Sequence, residues 1–199
     1  ENKEIMGEFA ECLEGIREAC EFLDYPVVSG NVSFYNGTNK KNIFPTPVIG
    51  GVGLIQNTKN KIDIFFKKEN SFIVLIGKTF GHLEKSVFYE EVYSIFDGQP
   101  PEINFANEKN NGECILNLIQ KDLVNSVHDV STGGLIIALA EMSINSNFGV
   151  KISKPKKLTN LSSYFFGEDQ GRYLVEIDEI NLKKAENILR KNNIFYEIL

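Results

Sequence analysis

The second half of the chain alternates between short apolar runs and amphipathic stretches, and this alternation limits the possible folds more than any other feature. Runs rich in β-branched residues predict strands, and apolar residues at steps of three and four predict helices. The predicted strands are 72–76, 127–130, 150–152, 173–177 and 194–199, and the predicted helices are 107–124, 135–145 and 182–191. This order is typical of an α+β or α/β layer fold. The spacing leaves open whether the sheet is parallel.

The beginning of the chain predicts a separate body. Residues 4–23 place apolar side chains on one face, which predicts an amphipathic helix packed on a core. Residues 47–55 are rich in valine, isoleucine and glycine and predict a strand that a backbone or a ligand approaches closely. Periodicity is lost over residues 56–70. We therefore expect two domains, 1–65 and 66–199.

Composition excludes several classes of function. The 199 residues are 42% hydrophobic and carry 21 basic against 27 acidic side chains, a net charge of −6. This balance argues against binding to nucleic acid or to anionic membranes, because both need a basic surplus. No apolar run approaches the roughly 18 residues of a membrane span. No signal peptide is visible, so we expect a cytoplasmic protein.

The three cysteines, Cys12, Cys20 and Cys114, are consistent with a reducing compartment. Cys12 and Cys20 lie eight residues apart in a helical pattern, which is too far for a disulfide. We therefore predict that they are buried thiols. The two histidines, His82 and His128, are well separated in sequence and give no zinc-ligand spacing.

The first candidate site is the sequence SGNVS at residues 29–33, called here the 29–33 segment. Glycine at position 30 allows a backbone to approach a phosphate group. Asn31 and Ser33 offer neutral oxygens and hydrogen-bonding groups. The alternative is an ordinary Asn/Gly/Ser turn.

The second candidate is HDVSTGG at residues 128–134, which leads from a predicted strand into a predicted helix. A glycine-rich turn at this place exposes the first helical N–H groups and suits an anion. The alternative is a tight turn with Ser131 or Thr132 as the N-cap. His128 beside Asp129 could act as a base, but an orienting hydrogen bond is the commoner role of such a pair.

The third candidate is FGEDQGR at residues 166–172, which precedes the predicted strand 173–177. Glu168, Asp169 and Gln170 stand between two glycines. The alternative is a β-turn with a surface salt bridge. Taken with the two glycine-rich turns, this acid-amide turn points to ligands that carry phosphate.

Four stretches resemble the phosphoribosylformylglycinamidine synthase family of ATP-dependent ligases. They are PVVSGNVSFYN at 26–36, PTPVIGGVGLI at 45–55, VHDVSTGGLIIALAEMS at 127–143 and FGEDQGRYLVEI at 166–177. The resemblance implies part of an N-terminal-type domain over residues 1–65, followed by most of a C-terminal α/β-type domain over residues 66–199. Both domain types belong to the aminoimidazole ribonucleotide synthetase-like superfamily. The chain is then expected to be an internal segment of a longer synthetase.

The resemblance also implies a reaction. ATP phosphorylates the amide oxygen of formylglycinamide ribonucleotide, and ammonia derived from glutamine displaces the phosphate to give the amidine. The implied partners are the first half of the synthetase, a glutaminase and a small accessory subunit where these are not fused. No nucleic-acid or membrane partner is expected.

Carried over to this sequence, the resemblance implies that Gly30 contacts ATP, Asn31 ligates Mg²⁺ and Ser33 touches the ribonucleotide. No catalytic residue is expected in this segment. His128, Asp129, Glu168, Asp169 and Gln170 are expected at most to form an auxiliary nucleotide site. Two alternatives remain: another ATP-using member of the superfamily, or a non-catalytic structural half.

Overall fold

The computed structural model describes residues 3–34, 36–39, 41–43, 46–153 and 160–199. It divides into two compact units, Glu1–Leu54 (unit 1) and Ile55–Leu199 (unit 2). Within the described residues, no helix is both long enough and apolar enough to cross a membrane.

Unit 1 begins with helix α1 (Lys3–Leu23), close to the predicted bounds. The helix ends at Asp24, which adopts a left-handed conformation with φ of 54°. The expected packing of one stripe onto a core is wrong for this chain, because no residue of α1 is buried. The prediction of buried thiols at Cys12 and Cys20 is wrong for the same reason, and both are half-buried.

Most of the described residues of unit 1 after α1 lie outside helices and strands. Two short strands, β1 (Gly37–Thr38) and β2 (Lys41–Asn42), pair antiparallel. The strand predicted over residues 47–55 is absent. A strand is held by hydrogen bonds to a neighbouring strand, and no strand of the described residues pairs with this segment. Its apolar side chains therefore face solvent, with Val48 91% and Leu54 96% exposed.

Unit 2 is built on a four-stranded sheet of β3 (Phe72–Ile76), β4 (Ser126–Asp129), β5 (Tyr173–Ile177) and β6 (Tyr196–Ile198). The strand order is β4-β5-β3-β6, and every neighbouring pair is antiparallel. The orientation that the sequence left open is therefore antiparallel, which places the fold in the α+β class. In the central pair, Leu75 lies opposite Leu174 and Val74 lies opposite Val175.

Successive residues of a strand point to opposite sides of the sheet. In unit 2, helices pack against both sides. The helices of unit 2 are α2 (Val87–Tyr93), α3 (Phe105–Gln120), α4 (Gly134–Ile144), α5 (Leu161–Phe166) and α6 (Glu179–Lys191). The helical residues buried against the sheet come from α3, α4, α5 and α6. One core cluster joins Val74 and Val175 to α3 and α6 residues such as Leu118 and Leu189. The other joins Leu75 and Leu174 to buried residues of α4 and α5.

Two local predictions for unit 2 need correction. Residues 150–152 form no strand, because within the described ranges they have no strand partner. Helix α5 (Leu161–Phe166) was not predicted. Asn160 caps it, since its side-chain oxygen accepts hydrogen bonds from the amides of Ser162 and Ser163 at 2.9 and 3.3 Å.

Candidate functional site

The 29–33 segment lies on an open surface of unit 1. All five of its residues are exposed and lie outside helices and strands. A methyl group added at Gly30 would meet no atom within 4 Å, so the surroundings of this glycine are free. Nearby, the ring of Phe34 packs edge-on against Phe9 at a centroid distance of 5.6 Å. The segment therefore presents its amide, hydroxyl and backbone groups to whatever approaches from solvent.

The donor set of the segment suits one position of a magnesium shell. The side-chain oxygen of Asn31 is a hard neutral ligand of the kind that Mg²⁺ accepts beside carboxylates and phosphate oxygens. Across the described part of the chain, no group of three or more His, Cys, Asp or Glu side chains is arranged to hold a metal ion. The segment on its own thus offers neutral oxygens and no carboxylate.

In unit 2, the second and third candidate motifs come together. Their backbones pack through glycines, which no other residue replaces without a clash. A methyl group at Gly134, where φ is 73°, would lie 2.7 Å from the carbonyl oxygen of Gly167. One at Gly167 would lie 2.9 Å from the Cα of Gly81. Two motifs far apart in sequence and the loop after β3 therefore form one backbone-packed corner.

Asp169 is at the centre of this corner and is only 4% exposed. Its Oδ2 accepts hydrogen bonds from the amides of Phe80 at 2.9 Å and Gly81 at 2.8 Å. Its Oδ1 accepts one from the amide of His82 at 3.1 Å. We call these three backbone N–H groups the amide cradle. The carboxylate is fully engaged by the chain itself.

Arg172, buried in the same corner, satisfies the carbonyl side of the turn. Its guanidinium donates to the carbonyl oxygen of Gly167 at 2.5 Å, to that of Asp169 at 3.2 Å and to Thr79 Oγ1 at 3.2 Å. Its Nη1 lies 3.9 Å from Asp169 Oδ2. Burial lowers the pKa of Arg172, and the negative charge of Asp169 opposes that shift. The alternative interpretation of this motif expected a surface salt bridge, but the ion pair is buried.

Glu168 supplies the anion at the start of α4. Its Oε1 accepts hydrogen bonds from the amide of Gly133 at 2.8 Å and from the amide of Val87 at 3.0 Å. The N-cap is Gly133, with no side-chain hydrogen bond, so the expected capping by Ser131 or Thr132 is wrong. The anion predicted for this helix start is a side chain of the same chain.

His128 lies at the end of β4 and is held between two carboxylates. Its Nε2 is 2.9 Å from Glu141 Oε2, and its Nδ1 is 3.3 Å from Asp129 Oδ1. The side chain of His128 is 11% exposed, whereas those of Asp129 and Glu141 are largely exposed. Gln170 is also exposed. This arrangement matches the orienting role that was the alternative to a base.

Glu176 is a polar residue of the core that sequence reasoning missed. It lies in β5 with no exposed surface, and its carboxylate accepts from the amides of Lys67 at 2.9 Å and Lys68 at 3.0 Å. The hydroxyls of Ser71 and Ser126 donate to it at 2.7 and 3.1 Å. The only sequence signal was an acidic residue inside the apolar run YLVEI. Four neutral donors show that it fastens the segment before β3 to the sheet.

Comparison with known families agrees with this fold. Residues 68–198 match the family described as AIR synthase related protein, C-terminal domain, and residues 1–55 match its N-terminal domain. The first match covers more than half of the chain. The chain therefore belongs to the AIR synthase related protein family.

Within this family, the chain is similar to the PurL subunit of phosphoribosylformylglycinamidine synthase. It is 49% identical over 199 residues to the subunit of Pelagibacter ubique, covering 100% of this chain and 27% of that protein. It is 49% identical over 180 residues to the subunit of Bradyrhizobium diazoefficiens, covering 90% of this chain and 24% of that protein. The chain thus spans about a quarter of the length of these curated relatives.

Solved structures show the same fold at low identity. A structure of Thermotoga maritima PurL complexed with FGAR matches at a TM-score of 0.55 and 18% identity, over 71% of this chain and 25% of that one. The Thermotoga maritima PurLQS structure matches at 0.54 and 19% identity, over 71% and 23%. These matches support the architecture of the chain.

Proposed function

We propose that this chain is part of an ATP-dependent C–N ligase, a phosphoribosylformylglycinamidine synthase of purine biosynthesis. The reaction joins ammonia, derived from glutamine, to formylglycinamide ribonucleotide and yields formylglycinamidine ribonucleotide, ADP and phosphate. The observation that carries the proposal is the 49% identity to PurL over all 199 residues. A cytoplasmic location follows from the same proposal.

The 29–33 segment is the part of the chain that we assign to the reacting groups. In this assignment Gly30 contacts ATP and Ser33 contacts the ribonucleotide. The free space around Gly30 supports the first contact, since a nucleotide phosphate can reach the backbone there. The exposure of Ser33 leaves its hydroxyl group available for the second.

Asn31 would hold a Mg²⁺ ion through its side-chain oxygen. When bound, the ion neutralises charge on the phosphates of ATP. Magnesium usually binds through one or two carboxylates and phosphate oxygens, so we assign its acidic ligands to the remainder of the synthetase. The first half of the synthetase is therefore a required partner, and a glutaminase and a small accessory subunit are further proposed partners.

The five residues of the predicted auxiliary site divide into two groups. Glu168 and Asp169 already accept five hydrogen bonds from backbone amides between them, which supports a structural role. An auxiliary nucleotide contact remains a prediction for His128, Asp129 and Gln170. We assign no catalytic residue to this chain and expect no ATP-dependent amidation from its 199 residues alone.

A chimera tests the proposal. The region of Pelagibacter ubique PurL that matches this chain is replaced by the 199 residues, and ADP release is measured with formylglycinamide ribonucleotide and ammonia. We expect activity, and we expect Asn31→Ala to raise the KM for Mg-ATP by about tenfold or more, the scale of losses at metal sites.

Asn36→Ala is the matched control, because Asn36 is an exposed asparagine near the same segment whose side chain donates to Ser33 O at 3.3 Å. It should leave the KM for Mg-ATP unchanged. A folded chimera without ATP-dependent amidation would contradict the proposed reaction. An equal effect of the two substitutions would contradict the role of Asn31.

A further inference from the structure

The amide cradle in unit 2 has the make-up of an oxyanion site. Three consecutive backbone N–H groups, those of Phe80, Gly81 and His82, converge on one carboxylate at 2.8–3.1 Å. Successive amides aimed at one point form the concave nests that bind anions. Gly81 makes this turn possible, since its φ of 81° lies in the left-handed region.

A buried cation completes the arrangement. Nη1 of Arg172 lies 3.9 Å from the same Asp169 oxygen that two of the amides bind. An arginine beside a row of backbone amides is a combination that proteins use to hold phosphate and carboxylate groups. In this chain the anion is a side chain, and it is shielded from solvent.

We propose that unit 2 contains a built-in oxyanion site whose permanent occupant is the Asp169 carboxylate. Removing that carboxylate would turn the cradle into a binding site for a small free oxyanion of carboxylate size. In the unchanged chain the site is closed to free phosphate, because its donors are already used. The inference does not depend on the proposed ligase reaction.

The three residues of the cradle border an open depression. Phe80, Gly81 and His82 also line an open depression of about 360 Å³. Leu83, Glu84, Tyr89, Asn160 and Ser163 form the rest of its lining. The backbone that bears the cradle is therefore next to solvent, although its present ligand is buried.

Chemical rescue with formate tests the proposal on the whole 199-residue chain. Asp169→Ala removes a group of the size of formate, leaves the three amides of the cradle without their acceptor and removes the negative charge beside the Arg172 guanidinium. The melting temperature is measured in sodium formate and in sodium chloride at equal ionic strength. We expect Asp169→Ala to melt well below the unchanged chain in chloride. Formate should raise its melting temperature saturably, as for a ligand that binds only the folded state.

Asp129→Ala is the matched control, since Asp129 is an exposed acid whose partner is the neighbouring His128 ring. Neither this variant nor the unchanged chain should respond to formate more than to chloride. Equal responses of all three proteins, or an Asp169→Ala protein as stable as the unchanged chain, would overturn the proposal. Inorganic phosphate, run in parallel, should stabilise Asp169→Ala less than formate does, because the cavity left behind fits a planar carboxylate.

A second variant decides the matter if Asp169→Ala does not fold in either salt. Asp169→Asn keeps the size of the side chain but turns an amino group toward part of the cradle, where only donors face it. We expect a lower melting temperature than for Asp129→Asn and no response to formate, because the space stays filled. Equal melting temperatures of Asp169→Asn and the unchanged chain would refute the built-in anion.

Discussion

Unit 1 and unit 2 use their apolar and polar residues in opposite ways. In unit 1, apolar side chains of residues 47–54 face solvent, and the polar 29–33 segment has open space around it. In unit 2, the sheet is covered on both faces, and the acidic residues Glu168, Asp169 and Glu176 each accept several hydrogen bonds from their own chain. Glycine-rich and acidic motifs of similar appearance thus serve different ends. The 29–33 segment is exposed to solvent, whereas the others hold the fold together.

The largest expected contrast is between two arginines. Arg172→Ala in unit 2 removes a buried guanidinium and leaves the Asp169 charge and two carbonyl groups poorly compensated, which should cost about 3–5 kcal/mol of unfolding free energy. Arg17→Ala in α1 removes exposed ion pairs to Glu14 and Glu21 and should hardly change it. Urea unfolding of both variants measures the difference. Equal losses of unfolding free energy in the two variants would contradict this difference between the units.

A buried acid should give the next largest effect. Glu176→Ala leaves the amides of Lys67 and Lys68 and the hydroxyls of Ser71 and Ser126 without their acceptor. We expect a loss of about 2–4 kcal/mol, since each buried donor left unpaired is costly. Glu11→Ala, at an exposed position of α1, is the control and should leave the urea midpoint unchanged. A Glu176→Ala midpoint equal to that of the control would show that the carboxylate does not fasten the segment before β3.

Substitutions of two glycines should change the free energy of unfolding by a smaller amount. Gly134→Ala forces a left-handed residue and a 2.7 Å contact with Gly167 O, so it should destabilise unit 2 by about 1–3 kcal/mol. Gly30→Ala meets open space and should leave stability unchanged. Thermal unfolding compares the two variants. In the chimeric synthetase, Gly30→Ala should instead weaken ATP use, and a purely structural effect of that substitution would contradict an open ligand surface.

Chemical labelling of the cysteines tests the same contrast without any substitution. Burial raises the pKa of the Cys114 thiol, so less of it is present as the reactive thiolate at a given pH. Cys12 and Cys20 are half-buried on α1. With iodoacetamide at mildly alkaline pH, we expect these two to be alkylated while Cys114 reacts only after unfolding. Mass spectrometry of the peptides reads out each site, and early modification of Cys114 would show that the unit 2 core is open.

The sequence predicted the parts of the fold that depend on local pattern. Strand β5 was predicted with its observed bounds, and α4 differs by one residue at each end. The strand predictions for residues 47–55 and 150–152 were wrong, because an apolar run becomes a strand only when another strand pairs with it. Helix α5 has six residues, which is too short to show a helical period.

The role of the polar motifs could not be predicted from the local sequence pattern. Asp169 receives its hydrogen bonds from residues 87–89 positions earlier in the chain, and Glu176 from residues up to 109 positions away. Turn composition predicted ligands that carry phosphate. It did not reveal that the anions are the carboxylates of Glu168 and Asp169, since this depends on how the loops meet in three dimensions.

Residue-level amide hydrogen exchange of the unchanged chain tests the central contrast most directly. The amides of Phe80, Gly81 and His82 should exchange more than about a hundredfold slower than unfolded chain, because Asp169 binds them within a packed corner. Those of Gly30, Asn31 and Ser33 should exchange at nearly the unfolded rate. Fast exchange in the cradle, or protection of the 29–33 segment in the isolated chain, would contradict a closed unit 2 and an open ligand surface on unit 1.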